Sequence, residues 1–247
     1  GRGVGVRGGS GLGGAQGRGL SAGGLVGCRR LGPQDPPGRA GGDADAAALG
    51  GRAKKLSQRG ATRVHREGPA TSLEIGLSPG TVWIGGGQTL RGRDICPNIP
   101  TEEVFTSPTA GVAEGTFRCS MPLSFQGRVI EDIGGEFRGG RLVRLSCKRE
   151  ADRKFLAAFL DSEPNARRLG EVALVDATSR IGAKRRLYYN TLLHENAAVH
   201  IAFGAGFAIT RQTAHNRGVN RAQFHLAVLL HNPAFTVTAT PAQSLTP

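Results

Sequence analysis

The 247 residues carry 32 Lys and Arg against 19 Asp and Glu, a formal charge of +13, with 38% hydrophobic and 21% charged residues. That composition permits one large packed domain or two small ones. The longest apolar runs, such as FLAAFL at 155–160, fall far short of the roughly 20 residues a membrane span needs, which excludes a membrane-spanning helix.

Four cysteines (Cys28, Cys96, Cys119, Cys147) are widely spaced and form no C-x-x-C pair. This argues against a zinc ribbon or a disulfide-stapled miniprotein, and for reduced thiols in a cytoplasmic protein.

Glycine is the outlier, with 39 residues, 20 of them within 1–60. Residues 1–50 show no apolar period and read as a low-complexity, disordered segment that buries little. Their removal is therefore expected to leave the unfolding temperature unchanged. Residues 1–70 hold 12 basic and 4 acidic side chains, so +8 of the charge sits there. An Arg/Gly segment of this kind could bind RNA, but residues 1–50 contain none of the interleaved aromatics that such binding uses. No apolar stretch fits a secretory signal, and the chain begins at Gly1 rather than Met, as a fragment or processed product would.

Order is expected from residue 51. AKKLSQRGATRVHREG reads as a short helix stopped at Gly60, then a strand. Leu73, Ile75 and Leu77, then Val82 and Ile84, alternate about Ser78-Pro79-Gly80 and predict a hairpin. Gly85-Gly86-Gly87 reads as a tight turn; it lacks the spacing and lysine of a phosphate-binding loop. Residues 112–149 predict a β-meander punctuated by Gly127, Gly134-Gly135 and Gly139-Gly140. Phe155, Leu156, Phe159 and Leu160 form a helical stripe broken at Pro164. EVALVD at 171–176 predicts a short buried strand, HENAAVHIAFG a helix and RAQFHLAVLLH a closing strand. The mixed order places the fold in the α+β class: a mixed or antiparallel sheet meander with a few packed helices.

Four features could carry chemistry. Glu102-Glu103 lie in a loop before Val104, and Glu171 opens an apolar strand directly after Gly170. Glu195 and His200 are five apart, and His225 sits in an apolar run. Carboxylates and imidazoles beside apolar strands suit divalent metals, which also compensate the cost of burying a carboxylate. His194-Glu195 begins like the H-E-x-x-H zinc motif, but position 198 is Ala198. No G-x-S-x-G occurs, and Cys96, Cys119 and Cys147 have no histidine beside them, so nucleophilic catalysis is not indicated.

TVWIGGGQT and NIPTEEVFT within 73–106, RRLGEVALVD at 167–176 and LYYNTLLHENAAVHIAFG at 187–204 resemble the thermophilic metallo-aminopeptidases, the family of aminopeptidases T and S. The resemblance covers roughly 52–227 and is strongest over 73–227. It implies a metallo-aminopeptidase catalytic domain over 51–247, from a family of two-domain proteins that form homodimers. It implies two divalent ions (zinc, cobalt or manganese) that activate a water to remove the first residue of a peptide. Glu103, Glu171, Glu195, His200 and His225 are the implied ligands, with Glu171 bridging and with Glu103 and Glu171 also serving catalysis.

Three positions depart from the family pattern. Ala227 stands where the last metal motif has Asp, Phe207 replaces the catalytic tyrosine, and His194 replaces an aspartate. The family's amino-terminal domain is not recognisable, and residues 228–247 look atypical. A catalytically impaired relative that keeps the fold is the alternative implied, with a basic nucleic-acid binder a more distant third.

Overall fold

A computed structural model describes residues 2–5, 39–86, 88–90, 93–95, 101–211, 218–230 and 234–239. The chain enters with strand β1 (Arg2–Gly5) and helix α1 (Arg39–Gln58), followed by β2 (Arg63–Gly68) and β3 (Thr71–Gly76). Then come β4 (Ile84–Gly85), β5 (Gln88–Leu90), β6 (Arg93–Ile95), β7 (Glu103–Thr106), β8 (Ala113–Arg118), β9 (Leu123–Phe125) and β10 (Arg128–Ile130). Next are β11 (Gly134–Arg138), β12 (Arg141–Ser146), α2 (Glu150–Leu160), β13 (Leu169–Val175), α3 (Thr191–Glu195), β14 (His200–Gly204), β15 (His225–Leu229) and β16 (Ala234–Ala239).

Two antiparallel sheets organise these elements. One has the order β1-β16-β2-β3-β8-β11-β12, the other β15-β14-β13-β7-β4. The expected α+β class with an antiparallel meander and few helices is what forms. The sheets meet through alternate residues of the strands that line the core, as a period of two requires. Val104, Val172, Leu174, Ile201, Phe203, Leu226 and Val228 of the five-stranded sheet share one core with Leu73, Ile75, Phe117 and Phe137 of the other. Phe203 is the link: its ring lies 6.1 Å from Phe117 and 5.8 Å from Phe137.

The start of order differs from the sequence expectation. Helix α1 begins at Arg39, not 51, and Leu49, Ala53 and Leu56 bury against the core. Glycine-rich sequence has poor helix propensity, with each Gly costing about 1 kcal/mol relative to Ala. Here the apolar stripe at i, i+4 and i+7 offsets it by tertiary burial. The unchanged unfolding temperature expected on removing residues 1–50 is therefore replaced: Leu49→Ala should destabilise by about 2–3 kcal/mol, read from a denaturant titration. An effect below about 0.5 kcal/mol would show that α1 does not pack as described. Residues 6–38, including Cys28, lie outside the described residues, as do Gly87 and Cys96.

Three local readings also change. The hairpin predicted about Ser78-Pro79-Gly80 does not form. Instead β3 pairs with β2, while Ile84 and Gly85 pair with Phe105 and Val104 in the other sheet. Alternation marks two buried strands but does not name their partners. HENAAVHIAFG is not a helix: α3 stops at Glu195, Asn196 caps it, and His200 opens β14. RAQFHLAVLLH gives β15, but β16 follows and inserts between β1 and β2. The meander of 112–149 is present, with β9 and β10 folded out as a separate hairpin and Gly134-Gly135 inside β11 rather than at a turn. Among the described residues no helix is long and apolar enough to cross a membrane.

Candidate metal centre

The face of the five-stranded sheet turned away from the core carries the candidate site. Antiparallel register sets Glu103 opposite Val175, His200 opposite Ala173, Ala202 opposite Ala227 and Gly204 opposite His225. Period-two alternation then places Glu103, Glu171, His200, His225 and Ala227 on one face. The β13–β14 register shifts between Leu169 and Glu171, with Gly170 at the irregularity. A Cβ on Gly170 would lie 2.1 Å from the Ala205 carbonyl oxygen, so only glycine allows the close approach that sets the orientation of Glu171.

Glu103, Glu171 and His200, all buried, each bring one ligand atom within 4.8 Å of the others. His200 Nε2 lies 2.9 Å from Glu171 Oε1 and 3.2 Å from Glu103 Oε2. His225 approaches the same carboxylate from the other side, its Nε2 3.6 Å from Glu171 Oε2. Backbone carbonyls fix the tautomers. His200 Nδ1 faces the Ala198 oxygen at 3.1 Å, and His225 Nδ1 faces the Ala205 oxygen at 2.8 Å. A carbonyl only accepts, so each Nδ1 donates its hydrogen and each Nε2 lone pair is left facing carboxylate oxygens. Lone pairs facing lone pairs in a buried site require a cation between them, either a proton or a metal. Histidine held through its far nitrogen is how metal-binding imidazoles are ordinarily oriented. By donor chemistry the residues therefore fit a divalent ion.

The other expected residues divide. Glu195, at the end of α3, is buried and its charge favours the imidazolium of His200, but it lies outside the group within 4.8 Å. Glu102 turns the other way: its Oε2 accepts the Arg180 N–H at 2.9 Å, and its own N–H donates to Asn196 Oδ1 at 2.7 Å. His194 donates from Nε2 to the Pro122 carbonyl at 3.1 Å, and burial lowers its pKa, so it stays a neutral packing residue. Cys119 and Cys147 are free thiols pushed up by burial, consistent with packing roles.

Asn196 was not singled out from sequence. It is fully buried, its Nδ2 donates to the Leu192 carbonyl at 2.9 Å, and it thereby ties the residue before Glu103 onto α3. The available signal was a lone amide inside the small, apolar run NAAV. Two of the three departures, Ala227 and Phe207, reach the site. Ala227 is buried on the ligand face, and the Phe207 ring lies 5.1 Å from that of His225 and 5.4 Å from that of Phe105.

Burial by itself pulls the His200 imidazole down, but the Glu171 hydrogen bond and the charges of Glu103, Glu171 and Glu195 outweigh it and hold the pKa at about 9. The folded value lies above the ordinary value of about 6.5. In metal-free protein this contact should therefore stabilise fully below about pH 6.5 and lose its contribution as pH rises toward 9, a loss of a few kcal/mol. Unfolding free energies measured across that window in chelator check it. A rise in stability over the same window would contradict the assignment.

A profile of the family described as thermophilic metalloprotease (M29) matches residues 34–245. Aminopeptidase T of Thermus aquaticus is 42% identical over 154 residues, covering 62% of this chain and 37% of that protein. Aminopeptidase T of Thermus thermophilus is 41% identical over 161 residues, covering 65% of this chain and 39% of that protein. The solved structure of wild-type AmpT from Thermus thermophilus superposes with a TM-score of 0.73 at 33% identity, covering 82% of this chain and 54% of that one. The chain thus spans less than half the length of these curated relatives. Matched over most of its length by the family profile, and sharing its fold with a solved AmpT, the chain belongs to the thermophilic metalloprotease family M29.

Proposed function

We propose that this chain carries the catalytic site of a metal-dependent aminopeptidase that removes N-terminal residues from peptides. The observation that carries the reading is the pair of imidazoles whose Nδ1 atoms are held by backbone carbonyls while both Nε2 atoms face Glu171. Glu103 and His200 would hold one divalent ion, His225 a second, and Glu171 would be shared between them. Carboxylate and imidazole donors suit zinc, cobalt or manganese. When bound, such ions supply Lewis acidity and lower the pKa of water toward neutrality.

The chain's own groups prepare this. Ala198 and Ala205 carbonyls orient the imidazoles. An ion held there would take the place of a proton between His200 Nε2 and the Glu171 and Glu103 carboxylates, so metal uptake should release acid. The apolar face beneath the site keeps bulk water from the carboxylates and strengthens each charge interaction. A peptide's free amine would be held at the ion pair or by an acidic side chain; the family resemblance implies a homodimer, and the widely spaced cysteines a cytoplasmic one.

A second reading concerns rate. Ala227 offers a methyl group where the family pattern has a carboxylate, and Phe207 offers no hydroxyl. The chain as given should therefore bind one metal tightly and cleave slowly. Elemental analysis beside an assay on unblocked and N-blocked dipeptides tests both readings. Metal content near zero together with no cleavage of unblocked peptide would overturn the aminopeptidase reading. Two tight metals and ordinary turnover would overturn the impaired one.

A further inference from the structure

Arg211 lies just beyond Phe207, after the short 3-10 turn Ala208–Thr210, and its guanidinium is half-buried. Nη1 donates to the Thr81 hydroxyl and Nη2 to the Pro108 carbonyl at 3.4 Å, both neutral acceptors. Its Nε is buried without a hydrogen-bond partner. Burial pulls its pKa below that of an ordinary arginine. Among the described residues no carboxylate pairs with it.

The primary structure explains the missing counter-charge. Residues 196–247 contain no Asp or Glu, and neither do 77–86 and 104–112, the segments from which Arg211 takes its contacts. A partly desolvated charge is costly unless something answers it. Guanidinium is planar and matches a carboxylate with two parallel hydrogen bonds.

Its position is informative. Pro108 adjoins Ser107, whose Oγ accepts the Phe207 N–H at 2.7 Å, and the Phe207 ring packs on His225. The three residues of the 3-10 turn, Ala208–Thr210, rise about 2 Å each, so Arg211 stands roughly 6–8 Å along the chain from Phe207. An extended peptide advances about 3.3–3.6 Å per residue, so the two steps from the first to the third residue of a tripeptide cover that gap.

We propose that Arg211 is a specificity-determining residue that binds a carboxylate of the peptide, restricting the site to short peptides with a free C-terminal carboxylate. This rests on the aminopeptidase reading and names its substrate class. The test is isothermal titration of the zinc-loaded full chain with a tripeptide whose first peptide bond is reduced. Its C-terminal amide, and an amide carrying Glu at the third position, are titrated alongside.

The free acid should bind about tenfold more tightly than the amide, as expected for hydrogen bonds to a charged group. R211Q should abolish that preference while leaving amide affinity and metal content unchanged; R211K should keep part of it. Tight binding of the Glu-bearing amide would support the carboxylate site and assign the group to a side chain. Equal binding of acid and amide by the unmodified chain overturns the proposal, whether or not R211Q folds. So does an R211Q variant that retains the preference. A chain that keeps zinc but binds no tripeptide overturns this proposal alone. One that holds neither zinc nor tripeptide overturns the aminopeptidase reading with it.

Discussion

Ala227→Asp combined with Phe207→Tyr should raise metal stoichiometry from near one toward two and raise peptidase activity more than either change alone. Position 227 pairs with Ala202 and lies two residues from His225 on the same face of β15. The new carboxylate would therefore enter beside His225 and Glu171. In metal-free protein a carboxylate at this buried position should destabilise, because it adds a further desolvated negative charge beside Glu171 and Glu103. Added zinc should reverse that, so the metal-induced rise in unfolding temperature should be larger in Ala227→Asp than in the parent.

The tyrosine acts differently. Phe207 is 37% exposed with its ring against His225, so a para hydroxyl can reach the open side of the site. One donor to a developing oxyanion is typically worth about 10²–10³ in rate. A double variant that gains neither metal nor activity would show that this chain has lost the site's geometry and keeps only the fold.

Glu171→Gln should remove the centre. Among the described residues, Glu171 is the one carboxylate that both imidazoles face. The amide keeps the volume but removes the charge and places a donor where a lone pair is needed. Metal content should fall by tenfold or more, in line with the 10–100-fold cost of perturbing even the outer partners of metal ligands. In chelator, the His200 pKa should fall from about 9, since the Glu171 hydrogen bond is the largest contribution raising it. Nuclear magnetic resonance of the histidine ring protons reads this directly. Unchanged metal content together with an unchanged His200 titration would make Glu171 a structural residue.

Much of this was legible from residues alone. The α+β class followed from mixed periodicities, and α2 followed from the stripe Phe155, Leu156, Phe159 and Leu160. EVALVD read as a buried strand because most of its residues are apolar, and the strand that forms, Leu169–Val175, starts two residues earlier and is buried throughout. Glu103, Glu171, His200 and His225 stood out because charged groups beside apolar strands need a reason. Other elements were not legible. Alternation in TSLEIGLSPGTVWIG identified strands but not which sheet would receive them, because partner choice depends on residues far away in sequence. NAAVH has the small residues of a helix, yet register with Ala173 and Leu229 draws His200 into a strand.

By itself, the sequence determined which residues bear charge, which runs alternate and which turns are open to glycine. These are local properties, fixed by side-chain chemistry and backbone sterics within a few residues. Only the tertiary structure decided that α1 would form through four glycines, because its stability comes from burying Leu49, Ala53 and Leu56 rather than from propensity. The same holds for the site. Three ligand atoms within 4.8 Å come from three strands, and no local rule relates Glu103 to Glu171 or His200. Antiparallel register brings them together, the close approach at Gly170 aims one of them, and two backbone carbonyls choose which nitrogen of each histidine is left for an ion.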